Sequence, residues 1–132
     1  MSTSTGELHR AGDLVFDDLG GGVHRHAWQG DGLGQVRLRL DAGAVLATHT
    51  HPEEQYTLVL SGSVRYRMAV GRDDEYAVEL HAGDGIRVPS MLPHEAHALT
   101  AARTVETFVP GLPTPTPVPA PVVTTAPGTT TP

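Results

Sequence analysis

Turn-forming breaks punctuate this chain so regularly that the apolar runs between them stay short and carry little helical periodicity. "LGGG", "QGDG", "DAG", "SGS", "GRDDE", "HAGD" and "PSMLP" separate segments rich in Val, Leu, Tyr and Thr, and Gly, Pro, Asn and Asp clusters of this kind set tight turns rather than helix interiors. Strands are therefore expected at Leu14–Phe16, Val23–Trp28, Gln35–Leu40, Val45–His51, Gln55–Leu60, Val64–Val70, Tyr76–Leu80, Gly85–Pro89, Glu95–Leu99 and Thr104–Val109. In "QVRLRL" and "VRYRM" the period of two puts Val, Leu, Tyr and Met on one face and the arginines on the other, the pattern of a half-buried antiparallel strand. So many short strands without crossover helices imply an all-β sandwich or small barrel.

The 132 residues suffice for one domain and one core. We assign residues 1–13 to an N-terminal arm, 14–110 to the β-barrel and 111–132 to a flexible tail. That tail, "PGLPTPTPVPAPVVTTAPGTTTP" with its leading Pro110, has no charged residue and consists mainly of Pro and Thr, a composition that favours extended polyproline II and cannot serve a central strand. The alternative for it is an arm packed along a neighbouring subunit. Net charge is −6, lysine is absent and nine arginines are scattered, which argues against nucleic-acid or anionic-membrane partners because both need clustered cations. Without cysteine there are no disulfides and no thiolate ligands, so any metal must be held by nitrogen and oxygen. No signal peptide or spanning segment is evident, and a cytoplasmic location is expected.

The chemistry concentrates in "GAVLATHTHPEEQYTLVLSG", residues 43–62. His49 and His51, two apart on a strand, point to one face and can share an ion. Pro52 should end that strand and let Gln55 open the next one nearby. His94 follows "VPSMLP", where two prolines frame a short loop into another strand. "HRH" at residues 24–26 repeats the spacing without a downstream ligand pattern and is taken as surface, as are the loop acids Glu53 and Glu54.

These motifs resemble the cupin superfamily. Its first motif, Gly, five residues, His-x-His, three or four residues, Glu, six residues, Gly, becomes Gly43, His49, His51, Gln55 and Gly62; its second falls on Gly83, Pro89 and His94, with Met91 in place of a glycine and Ala98 in place of an asparagine. The resemblance implies a double-stranded β-helix, that is, a jelly-roll barrel, with His49, His51, Gln55 and His94 as metal ligands around a central cavity. Gln55 replaces the usual glutamate, as in a subgroup of small single-domain bacterial cupins. Three imidazoles and an amide are all neutral, so one divalent ion (Fe, Ni, Zn, Mn or Cu) would keep its full charge and act as a Lewis acid. In "TVETFVPGL" the acidic residue two before a phenylalanine, Glu106, resembles a cavity-facing acid–base group of that subgroup, although the arginine that tends to follow there is missing. Tyr66 and His97 are further catalytic candidates, His97 as a proton-transfer residue, and Val45, Thr57, Val59, Tyr66, Met68 and Phe108 are expected to line the cavity. The resulting expectation is an enzyme of lyase, isomerase or cyclase type on a small oxygen-bearing substrate. Its alternatives are an Fe or Mn dioxygenase and a non-catalytic ligand-binding cupin. A homodimer is expected from the resemblance and from "YTLVL", apolar on both faces.

Overall fold

The computed structural model describes residues 5–118. After a 3-10 turn at Ala11–Asp13, eleven strands follow: β1 (Asp17–Asp18), β2 (Val23–Gln29), β3 (Gly34–Leu40), β4 (Val45–Thr50), β5 (Glu54–Ser61), β6 (Ser63–Met68), β7 (Tyr76–His81), β8 (Gly85–Val88), β9 (His94–Ala98), β10 (Ala102–Val109) and β11 (Thr116–Pro117). They form two antiparallel sheets, ordered β1-β2-β3-β10-β5-β8 and β11-β4-β9-β6-β7, which face one another as a jelly roll. No helix among the described residues is long and apolar enough to cross a membrane.

The core sits between the sheets, and the sequence alternation dictates which side chains reach it. Val36, Leu38 and Leu40 of β3 and Val64, Tyr66 and Met68 of β6 are buried, while Arg37, Arg39, Arg65 and Arg67 between them turn outward. Each such fully buried aliphatic side chain contributes about 1.5–3 kcal/mol of transfer free energy, so the two alternating strands anchor opposite halves of one core. The β5–β6 turn needs Gly62, at φ +79°, because a side chain there would meet the backbone of Ala101 and Ala102.

Three details differ from the sequence expectation. The first strand lies at Asp17–Asp18 rather than Leu14–Phe16; Phe16 instead packs beneath the Arg39 guanidinium, 4.0 Å from its ring centroid. β6 stops at Met68 because Ala69 adopts a left-handed φ of +57°, which breaks the extended backbone before Val70.

The start of the tail is the third. Its described residues, 111–118, fold back onto their own barrel: Leu112 N donates to Gln29 Oε1, Thr114 donates through N and Oγ1 to Glu53, and Thr116–Pro117 pair with His49 and Thr50 of β4. Gly34 makes the crossing possible, since any Cβ there would collide with the Gly111–Leu112 backbone. Proline is tolerated because β11 lies at the sheet's edge. Glu53, expected to be a solvated loop acid, is thus the tail's anchor. At the other terminus Glu7 accepts from Trp28 Nε1 at 2.8 Å, so that the later part of the arm packs on β2. Residues 1–4 of the arm and 119–132 of the tail lie outside the described residues.

Candidate metal centre

Strand register assembles the site from both sheets. His49 on β4 stands opposite His94 on β9, while across the barrel Gln55 on β5 stands opposite Phe108 and Thr57 opposite Glu106, both on β10. A register shift between Leu46 and His49 is essential here. Leu46 pairs with Ala96 and His49 with His94, three residues along β4 against two along β9, so β4 carries one extra residue that turns His49 to the same inner side as Leu46. His51 follows just beyond the strand, held where its carbonyl accepts from Met91 N at 2.8 Å.

The three imidazoles converge. Their ring centroids lie 4.3, 5.0 and 5.5 Å apart, and one ring nitrogen from each falls within 4.8 Å of the others. Each Nδ1 sits against a backbone carbonyl: Ala47 O for His49 at 2.7 Å, Glu53 O for His51 at 2.9 Å and Leu92 O for His94 at 2.8 Å. A carbonyl only accepts, so all three Nδ1 atoms carry the proton and all three Nε2 atoms present a lone pair, the preparation a metal-ligating histidine requires. Burial chiefly, with the neighbouring imidazoles, lowers the pKa of His49 and pushes that of His94 down to about 4, which keeps both rings neutral and basic toward a cation.

Two observations test whether these residues fit a metal ion. His94 Nε2 is buried without any hydrogen-bond partner, a costly state that a cation relieves. Gln55 Oε1 stands 3.0 Å from His51 Nε2 although both are acceptors, because the Gln55 amide is committed elsewhere: its Nε2 donates to Thr57 Oγ1 at 2.8 Å and to Glu106 Oε2 at 3.1 Å. Neighbouring ligands at about 2.1 Å from a shared ion stand about 3 Å apart. The donor set therefore fits one divalent ion, and the three histidines could hold it.

The bond to Glu106 also gives a physical reason for the departure from glutamate at position 55. A second carboxylate there would face Glu106 with no hydrogen to donate. Glu106 is buried between Thr57 and Tyr66, and burial raises its pKa to about 7, with the Tyr66 hydroxyl, Arg25 and Thr57 pulling the other way. Tyr66 makes long contacts of 3.4 Å to Glu106 Oε2 and 3.5 Å to Thr57 Oγ1.

A cavity of about 560 Å³ opens onto this cluster. His49, Gln55, Glu106 and Phe108 front it, whereas His51 and His94, each 2% exposed, lie behind them. His97 is not brought to the site: three residues from His94 on a strand, it has the opposite parity, and it pairs with Val45 and Arg65 on the outer side. Val45, 51% exposed, is for the same reason not a lining residue. Among the contributors missed from sequence are Val36, Leu38 and Leu46 of the apolar wall, and two more that differ in chemistry. Arg25 lines the cavity, and Pro113, Pro115 and Pro117 of the folded-back tail form a wall. The signal for Arg25 was its parity with Val23 in β2, which outweighs the outward-facing HRH histidines on either side.

Fold and site together define a two-sheeted β-barrel protein with a three-histidine centre able to hold a metal ion. The cupin domain model matches residues 36–109, over half the chain, and the chain belongs to that family. Among solved structures, an RmlC-like cupin from Shewanella frigidimarina is 25% identical with a TM-score of 0.71, over 80% of this chain and 91% of that one. A Bacillus subtilis oxalate decarboxylase, described for its Mn(II) centres, is 25% identical with a TM-score of 0.69 over 76% of this chain. A deletion mutant of the same enzyme is similar in fold, at 23% identity and a TM-score of 0.73 over 81% of this chain. The present chain spans only 28–30% of those decarboxylase chains. No curated protein matches it.

Proposed function

We propose that this cupin is a metal-dependent enzyme acting on a small oxygen-bearing organic molecule by elimination, isomerisation or cyclisation, with one divalent ion held by His49, His51, His94 and Gln55. The observation that carries this reading is the hydrogen bond from Gln55 Nε2 to Glu106 Oε2, which links the ligand set to a buried carboxyl group fronting the cavity. A divalent ion with four neutral ligands supplies Lewis acidity, polarising a carbonyl or hydroxyl oxygen without changing oxidation state.

The chain's own groups supply the rest. Glu106 accepts from Gln55 and Tyr66 at Oε2, leaving Oε1 to take a proton from a ligand or return it. Tyr66 stays protonated because burial, and then the charge of Glu106, raises its pKa, and its hydroxyl orients the carboxyl group. Val36, Leu38, Leu46 and the proline wall give the cavity an apolar lining beside the reacting end. A dioxygen-using Mn or Fe enzyme is the second reading, favoured by the Mn(II) centres named for the oxalate decarboxylase neighbour; turnover without oxygen consumption removes it.

Protein purified without chelator should carry about one divalent ion per chain by elemental analysis, and His49→Ala combined with His51→Ala should release it. Metal retained by the double variant would refute the ligand set. We also propose a homodimer, supported by Tyr56, Leu58 and Leu60, which stay exposed along the outer face of β5.

A further inference from the structure

Arg25 is the one cationic side chain among the residues lining the main cavity. It shares the inner face of β2 with buried Val23 and stands opposite Leu38 in register, so its half-buried stem runs along apolar wall. None of the ion pairs among the described residues includes it. Asp17, its register partner on β1, does not come within the 4.0 Å of an ion pair. Glu106, on the same cavity, feels the Arg25 charge, which lowers its pKa, but forms no ion pair with it, its Oε2 being engaged by Gln55 and Tyr66. A guanidinium presents five donors in a planar fork suited to a carboxylate, and this one lines a mostly apolar cavity together with Leu38, Phe108 and the tail prolines.

We propose that Arg25 anchors the carboxylate of the substrate, which is an organic acid with an apolar body. This rests on the reading of the same cavity as the substrate site. The guanidinium takes the carboxylate, the Val, Leu and Pro walls take the hydrocarbon portion, and the oxygen function at the far end is directed toward His49 and Gln55. The anchor comes from β2, a strand outside the histidine motifs.

The test uses metal-stripped protein, so that a carboxylate has no ion to bind. Isothermal titration of 3-phenylpropanoate and octanoate, each against its primary amide, compares acid with amide in the wild-type chain and in Arg25→Gln. The acids should bind the wild type about tenfold to a hundredfold more tightly than the amides, and Arg25→Gln should abolish that preference. Equal binding of acid and amide, no saturable binding of either acid, or a preference that survives in Arg25→Gln would overturn the proposal. The wild-type comparison stands even where the variant fails to fold. Metal uptake, measured separately, tells the two readings apart: acid preference without metal uptake removes the metal reading and leaves Arg25, and metal uptake without acid preference does the reverse.

Discussion

Replacing Glu106 by Gln should make the metal-free barrel more stable at alkaline pH and change it little at acid pH. Burial raises the folded-state pKa of Glu106 from 4.5 to about 7, while the unfolded chain keeps the ordinary value. Below about pH 4.5 the group is protonated in both states and contributes no pH dependence. Between the two values the unfolded state gives up its proton and the folded state keeps it, so stability falls as pH rises; above about 7 the loss is complete. At 1.36 kcal/mol per unit the shift amounts to about 3 kcal/mol. The substituted amide would still offer an oxygen to Gln55 Nε2 and remain neutral throughout. His49 and His94, whose lowered pKa values give the opposite trend by losing stability as pH falls below the imidazole range, are common to both proteins and cancel in the difference. Urea denaturation of chelator-treated wild type and Glu106→Gln at pH 4 and pH 8 measures it. The variant's advantage should grow by about 3 kcal/mol between the two pH values. Parallel pH profiles would refute the argument that Glu106 is buried at an energetic cost.

Met91 occupies a left-handed conformation, φ +64°, where the family motif has glycine, and its side chain is 49% exposed. Met91→Gly should therefore raise stability by about 0.5–1 kcal/mol, the relieved strain exceeding the added unfolded-state entropy, as a higher urea midpoint. Gln55→Glu should cost metal-free protein about 1–3 kcal/mol at neutral pH, since it turns the donor to Glu106 into a second buried acid; denaturation at pH 4, where both acids are protonated, should recover much of the loss. Leu58→Lys should convert a dimer into monomer by sedimentation without changing the unfolding midpoint of the isolated fold, because Leu58 is already on the outer face.

Most strands and both motif halves were legible in the sequence because period-two alternation and turn chemistry act within a few residues. Arg37 and Arg39 had to face water if Val36 and Leu38 faced the core, and they do. The same rule, applied strictly, would have removed His97 from the site, as its odd offset from His94 sends it outward. Composition did not reveal the contacts of the described start of the tail: Pro and Thr lack a core of their own, yet Leu112, Thr114 and Thr116 find partners on Gln29, Glu53 and β4.

The sequence by itself determined the all-β class, the shared face of His49 and His51, and the absence of thiolate and lysine chemistry, because each follows from local backbone geometry or from residue inventory. Only the tertiary structure decided which way that face points, through the extra residue in β4 opposite β9, and which groups meet there. Gln55 reaches Glu106, 51 residues away, and Arg25 and the tail prolines share their cavity, because register between distant strands depends on pairing across the sheet and on the packing of one sheet against the other, not on any short stretch of chain.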